Sequence, residues 1–279
     1  MRKPLTTAQM RILADRAWNL EMPVQERELE IADLIALGYG RQMASRILNL
    51  LSDGDMLEHY LQIARRKDCI PLTRVSEGYP LAVRKRLGLE SPGVLWAKGD
   101  LELLGNPKIA LVGSRDLQED NAAFAREVGL QAARQGYTLV SGNARGADRT
   151  AQEACLNAGG SVIVVVADSL AQQNPCQGVL YLSEEDYNQE FSAQRALSRN
   201  RIIHALGEMT FVAQSGYQTG GTWDGTVRNL QGEWSSVFCF DDGTVAAQQL
   251  AQMGATLVTT QDLQAFCDLM QETRSLFDQ

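Results

Sequence analysis

A short apolar run ends in a glycine and two polar residues at Ile109-Ala110-Leu111-Val112-Gly113-Ser114-Arg115. Such a run is typical of a strand that is buried on both faces of a sheet. Six more apolar runs of similar length follow, at 138–140, 161–166, 179–182, 210–213, 237–240 and 255–258. Helical spacing is visible at 122–134, 148–157, 192–206 and 262–276. Strands that alternate with helices predict an α/β fold with a doubly wound, mostly parallel, Rossmann-like sheet.

The sequence before this region predicts a smaller helical domain. Apolar residues lie three and four positions apart in three runs, at 28–37, 41–51 and 56–65. Residues 71–107 contain four prolines and predict an irregular connecting segment. We therefore expect a helical domain over 1–70, a connecting segment over 71–107, and a Rossmann-like domain with a C-terminal helix over 108–279.

The link between the first two helical runs is Leu37-Gly38-Tyr39-Gly40. A Gly-x-Gly turn between two small helices can present backbone N–H groups to a DNA phosphate, as in helix-hairpin-helix units. A simple packing turn is the alternative. We favour the packing turn because so short a pattern is weakly specific.

Charge is distributed unevenly along the chain, and this matters more than the net charge of −8. Residues 1–100 carry 15 basic and 13 acidic side chains, whereas residues 101–279 carry 11 and 21. Six of those 11 basic side chains lie in three short stretches, namely Arg115, then Arg145 and Arg149, then Arg195, Arg199 and Arg201. The acidic excess predicts a solubilising surface, and the grouped arginines predict a local anion site.

Composition disfavours several classes of protein. No run approaches 18 consecutive apolar residues, and no apolar stretch follows the charged N-terminus, so we expect a cytoplasmic protein without a membrane span or secretory signal. The five cysteines include no Cys-x-x-Cys pair and predict buried free thiols rather than disulfides or a zinc site. Only His59 and His204 are present, which argues against metal catalysis and histidine-based acyl transfer.

Four stretches at the carboxyl ends of predicted strands, the third of them at the start of an apolar helical face, contain the residues that we expect to bind phosphate. Glycines let the backbone approach a ligand, loop amides face anions, and arginines donate paired hydrogen bonds. The candidates are Gly113, Ser114, Arg115, Ser141, Gly142, Arg145, Gly146, Asp148, Arg199, Asn200, Arg201, Gly220, Gly221 and Thr222. We expect no catalytic residue, no metal ligand and no cofactor among them.

Three side chains in or beside these loops have a second interpretation. Asp148 suits either the N-cap of the next helix, which we slightly favour, or an acceptor for a sugar hydroxyl. Arg201 suits either a phosphate or a salt bridge to Glu184 or Glu185. Trp223 suits either a stacked base or the core.

Taken in order, these segments resemble the DprA/Smf family of DNA-processing proteins. The matching segments are Gly78-Tyr79-Pro80-Leu81, Pro92-Gly93-Val94-Leu95, Val112-Gly113-Ser114-Arg115, the loop at 141–148, Leu182-Ser183-Glu184 and Arg199-Asn200-Arg201-Ile202-Ile203. They cover roughly residues 70–260. The fourth loop departs from the family, because Gly220-Gly221-Thr222-Trp223-Asp224-Gly225 stands near the place of a Ser-Gly-Ser-Leu type of loop.

The resemblance implies a non-catalytic protein that binds single-stranded DNA, often as a homodimer, and helps to load RecA during natural transformation. It places the phosphates on the glycine-rich loops, with Arg115 among their contacts. For the dimer face, we consider the apolar residues near 238–240.

Two other functions of the same superfamily stay open. A LOG-type phosphoribohydrolase would use a Gly-Gly-x-Gly-Thr-x-x-Glu loop, but Arg228 and Asn229 stand where its catalytic glutamate is needed. A sensor of a nucleotide or nucleotide-derived signal is better supported, since the acidic balance of residues 101–279 suits a small nucleotide. The first strand is not followed by Gly-x-Gly-x-x-Gly, which disfavours a dinucleotide-dependent oxidoreductase.

Overall fold

The computed structural model describes residues 29–270 of the 279-residue chain. The expectation about a secretory signal therefore lies outside the described residues. The helices found between residues 29 and 270 all lack the length or the apolar character that spanning a bilayer requires.

Three short helices begin the described part of the chain, as the apolar spacing predicts: α1 (Ile31–Ala36), α2 (Arg41–Leu51) and α3 (Gly54–Arg66). Leu34, Ala44 and Ile47 bury their side chains between α1 and α2. Gly38 has a φ of 86°, which glycine adopts without strain, and its N–H donates to the carbonyl of Ile35. Gly38 thus ends α1, while contact of this turn with DNA stays a prediction.

The rest of the described chain contains nine strands and six further named helices. The strands are β1 (Ile70–Thr73), β2 (Val94–Gly99), β3 (Lys108–Val112), β4 (Thr138–Ser141), β5 (Ser161–Val165), β6 (Val179–Ser183), β7 (Met209–Val212), β8 (Ser236–Phe240) and β9 (Thr256–Val258). The helices are α4 (Leu81–Leu87), α5 (Glu119–Arg134), α6 (Ala147–Asn157), α7 (Ala193–Leu206), α8 (Gly220–Gly232) and α9 (Val245–Gln252).

The strands form one sheet in the order β1-β2-β6-β5-β4-β3-β7-β8-β9. Strands β3 to β9 pair in parallel, whereas β2 pairs antiparallel with β6 and with β1. The chain winds from β3 outward to β6 and then returns to β7 on the other side of β3. This confirms the doubly wound, mostly parallel sheet, and its topological switch point lies between β3 and β7.

Successive residues of the central strands pack on opposite faces of the sheet. In β3, Ile109 and Leu111 join the cluster beneath α5 and α6, whereas Ala110 and Val112 join the cluster beneath α7, α8 and α9. A strand covered on both faces needs apolar residues throughout, which explains the continuous apolar runs in the sequence.

The expectation that residues 71–107 are irregular is wrong. They contain most of β1, all of β2 and the helix α4, and the two strands extend the sheet beyond β6. Pro71 is tolerated because β1 pairs only with β2, so the missing N–H of proline faces the open edge of the sheet. The proposed division into domains at these positions stays a prediction.

The final helix begins later than predicted. Residues 261–264 form a 3-10 turn, and residues 266–270 are helical up to the end of the described chain. The Asp262 carboxylate accepts hydrogen bonds from the N–H and hydroxyl of Thr259, and such local bonds compete with an α-helix. The part of the prediction beyond residue 270 lies outside the described residues.

Two smaller predictions also need correction. Strand β8 lies between β7 and β9, with Phe238 buried and Phe240 stacked on Phe124, so residues 238–240 are not an exposed edge. All five cysteines are free, as predicted, but only three are buried, because Cys176 and Cys267 are exposed.

Candidate phosphate-binding site

A cavity of about 500 Å³ opens at the carboxyl ends of β3 and β7, where ligands of doubly wound sheets bind. We call it the phosphate cavity. Nine of the predicted site residues line it: Gly113, Ser114, Arg115, Asp148, Arg199, Asn200, Gly220, Gly221 and Thr222. Loops that lie far apart in the sequence thus meet at one site.

Two glycines allow the loops after β3 and β4 to lie against each other. A Cβ on Gly113 would lie 2.5 Å from the Cβ of Ala147, closer than real side chains approach. Gly146 has a φ of 86°, and a Cβ there would meet the backbone oxygen of Ser114. The N–H of Ala147 donates to that oxygen at 3.1 Å. These glycines shape the floor of the site and leave no room for larger side chains.

Arg199 and Asp148 form a buried pair at the bottom of the phosphate cavity. Arg199 Nη2 lies 3.8 Å from Asp148 Oδ2, and both side chains are 8% exposed. Burial raises the pKa of Asp148 and lowers the pKa of Arg199, while their mutual attraction opposes both shifts. Asp148 also accepts the N–H of Ala144 at 3.2 Å, so it braces the loop and does not cap α6, where Gly146 holds the N-cap position.

The Arg199 side chain has unused hydrogen-bonding capacity. Its Nε has no hydrogen-bond partner among the described residues. This atom is itself buried, so a ligand in the cavity does not reach it unless the side chain moves. Arg199 also lines the phosphate cavity, and its 3.8 Å contact with Asp148 is longer than a hydrogen bond, so its guanidinium has capacity to bind an anion there.

The N-terminus of α8 faces the same cavity through Gly220, Gly221 and Thr222. The first amides of a helix have no intrahelical acceptor, and the Thr219 side chain does not cap α8. The helix dipole adds partial positive charge at this end. The Asn200 amide donates to the carbonyl of Gly221 at 3.1 Å and fixes the first turn of α8 to α7.

Two arginines lie at the rim of the site. Arg115 is exposed and lines both the phosphate cavity and an adjoining cavity of about 400 Å³. Arg145 lines only the adjoining cavity and pairs with Asp116 at 2.6 Å, with both side chains largely exposed. Surface pairs of this kind contribute little to stability, so a phosphate can replace Asp116 at small cost.

Five predicted residues do not line the phosphate cavity: Ser141, Gly142, Arg145, Gly146 and Arg201. Ser141 is fully buried, and its hydroxyl accepts a hydrogen bond from Gln152 at 2.6 Å. Arg201 is buried and pairs with Glu184 at 2.5 Å, on a different side of α7 from Arg199. The structural interpretation of Arg201 is therefore the correct one.

The two residues at the place of a phosphoribohydrolase's catalytic glutamate, Arg228 and Asn229, do not line the phosphate cavity. Arg228 pairs with Glu90 at 2.6 Å on the outside of α8. Asn229 is fully buried, and its amide contacts His204 and Ser235. Neither position supplies a carboxylate to the phosphate cavity. Among the described residues, no group of three or more His, Cys, Asp or Glu is placed to hold a metal ion.

The exposed aromatic side chains of the site differ from the one that the sequence suggested. Trp223 is buried and makes an edge-to-face contact with Tyr217 at 5.3 Å. Tyr217 itself is 45% exposed, and Phe191 is 57% exposed in the adjoining cavity. The only signal in the sequence that could have predicted the exposure of Tyr217 and Phe191 is that polar residues stand beside them.

We expect Gly142→Ala to destabilise the protein by about 1–3 kcal/mol, since a Cβ at Gly142 would overlap the buried guanidinium of Arg199. Denaturant unfolding measures the effect. Gly105→Ala is the matched control, because Gly105 has open space around it and should change stability by less than about 0.5 kcal/mol. Equal stability of Gly142→Ala and the unmodified protein would show that Arg199 does not lie against this loop.

Comparison with known proteins identifies the family of this chain. A model of the family described as DNA recombination-mediator protein A matches residues 71–268. The DNA processing protein DprA of Streptococcus pneumoniae is 31% identical over 186 residues, which cover 61% of this chain and 65% of that protein. Protein Smf of Escherichia coli is 29% identical over 184 residues, which cover 60% of this chain and 49% of that protein.

Solved structures show the same fold. The X-ray structure of DprA from Streptococcus pneumoniae has a TM-score of 0.73 at 24% identity and covers 94% of this chain and 93% of that chain. DNA processing protein A from Helicobacter pylori, whose structure concerns its binding of single-stranded DNA, has a TM-score of 0.60 at 21% identity and covers 73% of this chain and 96% of that chain. Because the family model matches well over half of the chain, the chain belongs to the DprA/Smf family of DNA recombination-mediator proteins.

Proposed function

We propose that this protein binds single-stranded DNA through its phosphates and performs no covalent chemistry on it. One observation carries the proposal: Arg199, which lies 3.8 Å from its partner Asp148, lines the same cavity as the N-terminus of α8, which has no side-chain cap. Both groups favour an anion, and the exposed Arg115 adds a third source of positive charge. Phosphate is the anion that suits paired N–H donors and a helix N-terminus.

The shape of the site supports a strand rather than a single ion. The phosphate cavity and the adjoining cavity share Arg115 and Arg199, so positive charge extends across both. Phe191 and Tyr217 present exposed rings nearby, and bases of single strands stack on such rings. The Helicobacter pylori relative, whose structure concerns single-stranded DNA binding, supports the same ligand by analogy.

The proposal extends to the role of the protein in the cell. Its family membership supports a part in DNA uptake or recombination, with loading of RecA and a homodimer as the accompanying hypotheses. The aligned part of the chain spans 65% of the pneumococcal relative and 49% of the Escherichia coli relative. Activities of those whole proteins therefore stay proposals for this chain.

We expect Arg115→Ala to weaken binding of a labelled single-stranded oligonucleotide about 10- to 100-fold, because a charge-assisted hydrogen bond to phosphate contributes about 1.5–3 kcal/mol. Fluorescence anisotropy at several salt concentrations measures it. The slope of log affinity against log salt should fall by about 0.7 for each phosphate that the variant no longer neutralises. Arg134→Ala is the control, because Arg134 is exposed at the end of α5 that lies farther from Arg115 along the chain. This variant should change neither the affinity nor the salt slope.

The acidic balance of residues 101–279 favours a second candidate, a sensor of a small nucleotide. The two candidates predict different results in the same assay. If the folded protein does not bind the oligonucleotide at low salt, the DNA-binding proposal is wrong. A thermal-shift screen of nucleotides would then test the sensor.

A further inference from the structure

A second concavity, of about 550 Å³, lies between α7 and α8. We call it the tryptophan groove. Its lining includes Leu197, Gly221, Trp223, Val227, Arg228 and Trp234. Leu197 and Gly221 also line the phosphate cavity, so the two concavities are neighbours around the first turn of α8.

Glycines on α8 keep the groove open beside α7. Gly221 and Gly225 lie one helical turn apart, and both contribute to its lining. A Cβ on Gly221 would lie 2.8 Å from Leu197 Cδ2, and a Cβ on Gly225 would lie 3.1 Å from His204 Nε2. A side chain at Gly221 would displace the Leu197 side chain, and one at Gly225 would press on the buried His204 ring.

The chemistry of the groove suits a flat, largely apolar group. Trp223 and Trp234 line the groove but are only 9% and 8% exposed, so each adds a small apolar surface. The Arg228 guanidinium lies 5.7 Å from the centre of the Trp234 ring, and Glu90 holds it at 2.6 Å. Arg228 remains 48% exposed, so one face of a fixed, planar cation is open to a ligand. Because both tryptophans are buried, the plane that is open to a base is the guanidinium of Arg228, and nucleobases stack on guanidinium planes.

We propose that the tryptophan groove binds a nucleobase of the DNA strand whose phosphate occupies the phosphate cavity. The inference rests on the proposed function, and two features favour this occupant over another. The groove adjoins the phosphate cavity through Leu197 and Gly221, and the half-exposed guanidinium of Arg228 offers a planar surface to a base. The DNA strand thus passes over the N-terminus of α8, with its phosphate in the phosphate cavity on one side and a base in the tryptophan groove on the other.

The test fills the groove and asks whether the loss of affinity depends on the bases. Val227→Phe places a ring in the groove from a half-buried position on α8. Binding is measured for oligothymidylate and for an abasic strand of equal length, which keeps the phosphates but lacks bases. We expect Val227→Phe to weaken oligothymidylate binding about tenfold and to leave abasic binding unchanged.

A pair of exposed glutamines supplies matched variants that do not disturb the core. Gln194→Phe blocks the groove from α7, so it should reproduce the effect of Val227→Phe even if that variant folds poorly. Gln231→Phe places the same ring on α8 outside the groove lining and should bind both strands as the unmodified protein does.

Three results would overturn the inference. Unchanged oligothymidylate binding in folded Val227→Phe and Gln194→Phe would show that no base enters the groove, while the proposed function would stand. An equal loss of affinity for both strands would show that the substitutions disturb the phosphate contacts instead. If the unmodified protein bound neither strand, the proposed function itself would fail and the base site with it.

Discussion

Replacing Arg201 by methionine is expected to lower the free energy of unfolding by about 3–5 kcal/mol. Arg201 and Glu184 are paired at 2.5 Å with side chains only 5% and 4% exposed, so the variant leaves a buried carboxylate without its cation. Arg201 also donates to the carbonyls of Glu90 and Ser198, and those acceptors lose their donor as well. Chemical denaturation with a two-state fit measures the change.

Two further variants separate the buried pair from a general effect of removing an arginine. The double variant Glu184→Leu with Arg201→Met removes both charges together and should recover most of the stability. Arg145→Met breaks the exposed pair with Asp116 and should cost less than about 1 kcal/mol. A decrease below about 1 kcal/mol in the single Arg201→Met variant would contradict the buried pair.

Acid is expected to destabilise the protein through His204. This side chain is fully buried, and burial, with a smaller contribution from Arg199, lowers its pKa from 6.5 to about 3. Below pH 6.5 the unfolded chain binds a proton at His204, whereas His204 of the folded chain stays neutral until the pH approaches 3. The contribution to stability is therefore complete above pH 6.5 and falls by about 1.4 kcal/mol per pH unit as the pH drops toward 3.

The measurement is the free energy of unfolding at several pH values between about 7 and about 4.5, where the decrease due to His204 reaches about 2.7 kcal/mol. His204→Asn should have a shallower slope in this window, because asparagine does not titrate. His59→Gln, at an exposed position on α3, should keep the slope of the unmodified protein. Identical slopes in all three proteins would show that His204 is not buried in its neutral form.

Local pattern was sufficient to predict the parallel part of the fold. Continuous apolar runs such as Ile109–Val112 arise because a central strand is covered on both faces, and that requirement is visible in any one strand. The same logic located the site, since ligands of doubly wound sheets bind where the strands end. Glycines at 113 and 146 were informative because their backbone or their close contacts exclude larger side chains.

Contacts between segments that are distant in the sequence determined features that the local sequence pattern could not predict. β1 contains Pro71 and β2 follows Pro92, so the local sequence of both looks irregular. They form strands because β2 pairs with the open edge of β6 and β1 then pairs with β2. Arg199 and Arg201 look equivalent in the sequence, but two residues along a helix turn the side chain by about 200°. One arginine thus faces the phosphate cavity and the other faces Glu184.

The aromatic residues show the same division between sequence and structure. Nothing in the local sequence of Trp223 distinguishes a buried ring from an exposed one, because exposure depends on which helix covers it. The amino-acid sequence established the strand and helix pattern, the loops that carry glycine and arginine, and the family. The assembled sheet selected which side chains reach the ligand, because burial and charge pairing are set by neighbours that are distant along the chain.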